Sequence, residues 1–258
     1  VWKNCKQLLL LTVEKKKISL ENTGKIVVHK GRFVNFFRPQ QLFQKKDSFL
    51  TSFFDRFEWP WELLPEIHSF LLTLPLGDIK SKIPDGVYLE NRESISIEED
   101  CIIESGAFIR GPCFIGRGSE IRHGAYIRGD VIAGEKVVIG HTTEVKNAIF
   151  CSHAKAAHFA YIGDSILGEN VNLGAGTKCA NLKFDHSAVS VRTQDQTFET
   201  GLKKMGAFFG ADAQTGCNTV TNPGTIFLRN AKSYPNSTVC GVVPENHIFI
   251  KRNEFKPV

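Results

Sequence analysis

From Ile97 to Ala157 every sixth residue is apolar: Ile97, Ile103, Ile109, Ile115, Ile121, Ile127, Ala133, Ile139, Val145, Cys151 and Ala157. A helix repeats its inner face every 3.6 residues and a strand every 2, so neither accommodates a strict period of six. That period belongs to a parallel β-helix of hexapeptides, three short strands to the turn, with one apolar side chain per strand pointing inward. Two residues before the inward positions stand Ala107, Cys113, Ser119, Ala125, Val131, Val137 and Thr143, small enough for the corners between strands. The expected fold class is mainly β, and residues three hexads apart should stack one above another.

The coil is expected over residues 91–250. Its spacing shortens to five at Ala157, Ile162 and Leu167, and irregularity in a strict repeat tends to mark function. Over residues 181–205 the repeat gives way to a polar excursion, where the alternation Ala188-Val189-Ser190-Val191-Arg192 predicts a β-hairpin. Phe209-Gly210, Thr215-Gly216 and Pro223-Gly224 then restore the repeat for roughly two more turns. Residues 1–90 carry no hexad. They read as a small α/β region with strands at 8–13 and 26–28 and an aromatic stretch through Phe57. A helix should open at Trp59-Pro60-Trp61-Glu62 and run to Leu74, with Pro60 in its first turn. Pro75, Gly77, Pro84 and Gly86 mark a linker.

With 258 residues, 42% of them apolar and 23% charged, the chain can bury a full core as a soluble protein of one or two domains. The net charge of +5 is dispersed, and no Lys/Arg stripe with interleaved aromatics argues for nucleic acid. The apolar run at 8–11 is shorter than a signal-peptide core, so a cytoplasmic protein without membrane attachment is expected. Seven cysteines without a CxxC pair resemble neither a disulfide framework nor a zinc knuckle, and no metal site is expected. Cys101, Cys113, Cys151 and Cys179 fall at inward or corner positions, where a free thiol packs as a small hydrophobe.

Stacking aligns Arg110, Arg128 and Lys146 on one outer face. Such a column suits either a phosphate clamp or a solvated basic stripe. The next turn carries His158-Phe159-Ala160-Tyr161-Ile162-Gly163-Asp164 and Asn170-Val171-Asn172-Leu173-Gly174-Ala175-Gly176-Thr177. A histidine titrating near neutrality is a natural general base. The small residues Gly174, Ala175 and Gly176 either leave backbone N–H groups open to an oxyanion or simply permit a tight corner.

The block Glu144-Val145-Lys146-Asn147, the run from Ala157 to Ser165 and the run from Asn170 to Thr177 together resemble the acetyltransferase domain of bifunctional sugar-1-phosphate nucleotidylyltransferase/N-acetyltransferases, which make UDP-N-acetylglucosamine. The resemblance covers about residues 87–244 and continues through Ala180-Asn181-Leu182-Lys183-Phe184-Asp185. It implies a left-handed β-helix, a homotrimer with sites between subunits, and acetyl-CoA as co-substrate for an amino-sugar 1-phosphate, glucosamine 1-phosphate first, or a UDP-sugar. It also implies His158 as general base. Arg128 and Lys146 match phosphate-holding cations, Tyr161 and Asn172 sugar contacts, and Asn181 a residue beside the reacting amine. Ala175, Leu182 and Ala211 match the acetyl-CoA side. The chain departs from the pattern at Ser187 and Ser190, where the similar branch has lysines, at Leu182, a Tyr in larger relatives, and at Ala211, a small hydroxyl residue there. Residues 1–90 lack a nucleotidylyltransferase phosphate loop, so the resemblance implies a chain that has either lost its nucleotidylyltransferase half or is served by a separate nucleotidylyltransferase partner.

Two rival readings stand beside this one. Hexapeptide coils also resemble γ-class carbonic anhydrases, and His153 and His158, with His123 or His141, would then hold a metal between subunits. A trimeric scaffold or a sugar-nucleotide-binding subunit is the non-catalytic alternative.

Overall fold

Parallel pairing runs from Tyr88–Glu90 to Ile248–Phe249 and builds a coil of three faces, each eight strands deep. The computed structural model describes residues 37–43, 48–193 and 196–250, all within one compact unit, Val34–Val258. The strands expected at 8–13 and 26–28 lie outside the described residues. The first face runs from Tyr88–Glu90 through Phe108–Arg110, Tyr126–Ile127 and Lys178–Cys179 to Thr238–Val239. The third runs from Ile102–Ile103 through Lys155–His158 and Asn172–Leu173 to Ile248–Phe249. Glu144–Phe150 and Tyr161–Leu167 each pass from the first face onto the second without a break, and so join those faces into one sheet.

Ile97, Ile103, Ile109, Ile115, Ile121, Ile127, Ala133, Ile139 and Val145 all lie in the inner core, as the period requires. The register then slips two hexads earlier than the sequence suggests. Phe150 and Ala156 point inward, whereas Cys151 belongs to an outer cluster and Ala157 is half-buried. The lost residue is at the first corner. There Asn147 at φ +45° and Asp164 at φ +49° turn the chain in one step, where Gly129 and Asp130 take two. A short polar side chain tolerates this left-handed conformation better than other non-glycine residues do. Volumes compensate within each turn: Phe150 shares a turn with Ala156, Phe209 with Thr215 and Phe227 with Ser233.

The second face is apolar on its outside as well. Phe114, Ile132, Ile149, Ile166, Phe208, Ile226 and Val242 stack along it in register. A sheet buried on both sides needs a cover. Helices Pro39–Phe43, Ser48–Phe54 and Ile67–Leu71 supply it, with Phe43, Leu50, Phe53, Leu63 and Ile67 fully buried against this column. The segment expected as one helix to Leu74 is a 3-10 helix, Pro60–Glu66, followed by the short α-helix. Pro65 lies inside it and removes an N–H that a continuous α-helix would need. Glu62 closes its start by accepting hydrogen bonds from the Glu58 and Trp59 N–H groups at 3.1 and 3.0 Å. The excursion forms the antiparallel pair Ser190–Arg192 and Thr197–Glu199. Val189, Val191, Phe198, Leu202 and Met205 join the same outer cluster. Cys113 and Cys179 are in the inner core, Cys101 at its corner and Cys151 in the outer cluster. No helix among the described residues is long and apolar enough to cross a membrane.

Candidate active site

Register places Arg110, Arg128 and Lys146 in one column on the first face, with Tyr126, Glu144 and Tyr161 in the column beside it. No cation in the column is unaccompanied. Arg110 pairs with Glu90, and Arg128 donates to Glu144 at 2.7 Å, which holds its guanidinium above its ordinary pKa. Lys146 Nζ lies 3.7 Å from Asp164, an ion pair without a tight hydrogen bond. Lys146 therefore keeps donors for a further anion, while the two arginines are more fully engaged.

Asp164, which no motif in the sequence singles out, lies at the centre of the group. Its carboxylate accepts hydrogen bonds from Asn147 Nδ2 at 2.9 Å and Asn181 Nδ2 at 2.5 Å. Asn181 Nδ2 also reaches the Tyr161 hydroxyl at 3.3 Å. Burial, and then the Asp164 charge, push the Tyr161 phenol above its ordinary pKa, so it stays protonated and can donate. Tyr161 can lie across the sheet because its neighbour is Gly163. A Cβ there would stand 2.5 Å from the Tyr161 hydroxyl and 2.9 Å from Asn181 Nδ2.

His158 ends strand Lys155–His158 at the edge between the third and first faces and is exposed. It continues a histidine column: His141 pairs with it in register, and the His123 and His141 rings stack at 5.7 Å. The His123 and His141 rings bond the carbonyls of Ser105 and His123. Among the described residues no hydrogen bond engages the His158 ring, which leaves it open to a ligand.

Arg128, Lys146, Tyr161 and Asn181 are thus brought together, with His158 at the adjoining edge. Asn172 is exposed on the third face, aligned with Lys155 and Gln214. Ala175 stands at the corner above His158, where Gly176 N donates to the His158 carbonyl at 3.1 Å. The oxyanion reading fails at two of its three positions. Gly174 N donates to Thr215 and Gly176 N to His158, which leaves the Ala175 N–H. Close packing explains Gly174, since a Cβ there would meet Cys217 N at 2.6 Å. Leu182 begins the excursion, partly exposed, in a bridge to Lys204. Ala211 is fully buried, its N–H bonded to the Leu42 carbonyl, away from this group. Ser187 accepts from Lys183 Nζ and donates to Asp185.

Among the described residues no metal site forms within one chain: His153 lies in the turn before strand Lys155–His158, His158 ends that strand, and no group of three or more His, Cys, Asp or Glu there could hold an ion.

A family model described as the GMPPB C-terminal domain matches residues 109–248. A bifunctional sugar-1-phosphate nucleotidylyltransferase/acetyltransferase of Sulfurisphaera tokodaii is 37% identical over 70% of this chain and 44% of its own length. The bifunctional protein GlmU of Methanocaldococcus jannaschii is 32% identical over 76% of this chain and 47% of its own. The chain spans about half the length of these two relatives. An uncharacterized acetyltransferase, YaiX, of Escherichia coli is 33% identical over 68% of this chain and 80% of its own.

Proposed function

We propose, from the premise that this chain belongs to the family of the GMPPB C-terminal domain, that it transfers an acetyl group from acetyl-CoA to the amino group of an amino-sugar 1-phosphate, glucosamine 1-phosphate in the first place. The observation that carries this reading is the group of Lys146, Tyr161 and Asn181 around the buried Asp164, beside the exposed His158. Lys146, with Arg128 behind it, holds the phosphate, and Tyr161 and Asn181 hold the sugar and its amine. His158 takes a proton from the amine as the nitrogen attacks the thioester carbonyl carbon. The carbon–sulfur bond then breaks, and the CoA thiolate leaves and is protonated. The Ala175 N–H is available to the developing oxyanion. Asn172 lies on a different face from Tyr161, which favours a homotrimer in which adjacent subunits complete each site. A separate nucleotidylyltransferase would consume the N-acetylated sugar phosphate.

The test is thiol release from acetyl-CoA with glucosamine 1-phosphate and, in parallel, galactosamine 1-phosphate. Wild type should release CoA, and His158→Ala should be slower by roughly 10²- to 10⁴-fold while its size in solution is unchanged. Absence of CoA release with both acceptors from a folded protein would overturn the reading.

A further inference from the structure

Asp164 is a carboxylate only 4% exposed, and the reaction as described gives it no part. A buried carboxylate persists when its lone pairs are engaged. Here Oδ1 accepts from Asn147 Nδ2 and faces Lys146 Nζ, and Oδ2 accepts from Asn181 Nδ2. Asn181 Nδ2 carries two hydrogens, and Asp164 and the Tyr161 hydroxyl are its two partners. With its donors committed to the wall, Asn181 has its amide oxygen left to offer, and among the described residues that oxygen has no protein partner. An amine attacking a carbonyl must aim its lone pair, which means steering its N–H bonds: one toward a base, another toward an acceptor. A neutral side chain at 164 would let the Asn181 amide present either end.

We infer that Asp164 is a positioning residue that fixes the Asn181 amide with its oxygen toward the acceptor amine and holds the Lys146 ammonium at the phosphate. It contacts neither substrate itself and acts through Asn181 and Lys146. This role rests on the acetyl-transfer reading.

The experiment is steady-state kinetics of the full chain with acetyl-CoA and glucosamine 1-phosphate. Asp164→Asn should lower kcat by roughly ten- to a hundredfold, with KM for acetyl-CoA within about twofold of wild type. Asn181→Ala should be similarly slow, and the Asp164→Asn/Asn181→Ala double variant should match Asn181→Ala in kcat, because at the amine one acts through the other, while the loss through Lys146 should appear in KM for glucosamine 1-phosphate. Asn181→Asp decides the matter independently of whether Asp164→Asn folds. It sets two carboxyls within hydrogen-bond reach, which must share a proton, so its rate relative to wild type should rise as pH falls. Asp164→Asn activity within about twofold of wild type, multiplicative losses of kcat in the double variant, or a flat ratio for Asn181→Asp would each overturn the role while leaving the transfer reaction standing. Wild-type silence would instead bring down the transfer reaction, and this role with it.

Discussion

Tyr161 reaches Asn181 only because residue 163 has no side chain, and this makes Gly163 a residue whose effect is felt in its neighbours. Gly163→Ala would drive a methyl against the phenol oxygen and the Asn181 amide. The phenol moves more cheaply than backbone does, so the stability loss should be about 1–3 kcal/mol. Turnover should fall by roughly a hundredfold, since small misplacements at a reacting centre are costly. Thermal unfolding and CoA release, measured on one preparation, separate the two effects. The raised pKa of Tyr161 has a definite sign. Its neutral form persists to higher pH than an ordinary tyrosine's, so no loss of activity below about pH 10 should trace to its ionisation. Thiols follow burial in the same way. Desolvation pushes Cys179 up to about 12 and Cys113 higher still, and both are wholly enclosed. Iodoacetamide at about pH 8 should leave both unmodified in the native protein and label both after unfolding, as peptide mapping would read. Labelling of either in the native state would mean that the coil opens.

At the scale of elements, the coil was legible because its period is imposed at every strand, but the slip at Asn147 was not. Cys151 and Ala157 are apolar, so the old register reads through the slip. Yet Phe150 and Ala156 occupy the core, since a one-residue corner moves every later side chain by one place. The same corner brings Asn147, Asp164 and Lys146 within reach of one another. In sequence Asp164 is indistinguishable from an ordinary turn former, so the centre of the candidate site is not legible there although most of its rim is. The packing of the cover was not legible, for another reason. Its aromatics have no period, because each fills a gap on the coil and none follows a face of its own. Phe198 shows how the hairpin is held: its ring lies 5.1 Å from Trp59, 5.7 Å from Phe37 and 5.9 Å from Trp61. Phe198→Ala should cost up to about 3 kcal/mol. Because the hairpin is a separate antiparallel pair, amide exchange should quicken over 189–202 while strands of the inner core stay protected. Equal loss of protection everywhere would tie the hairpin to the global transition.

A bare solenoid is held together by contacts between adjacent turns, so it can unfold piecewise. This molecule has a second core laid lengthwise over the first. The outward column from Phe114 to Val242 crosses seven rungs, and one continuous cluster of helices and hairpin covers it. Opening any one rung therefore strips cover from its neighbours, and the turns should unfold together. Trp59 and Trp61 report on the cover and far-ultraviolet dichroism on the coil, so urea curves from the two should coincide in a Trp2→Phe background. Phe208 sharpens the test. It is fully buried on the second face with its ring 6.0 Å from Phe43, so Phe208→Ala should cost about 3–5 kcal/mol. If the cover couples the turns, both curves shift to lower urea by the same amount. If fluorescence alone shifts, the cover melts from a coil that stands without it, and the stability of the candidate site then rests on adjacent turns alone.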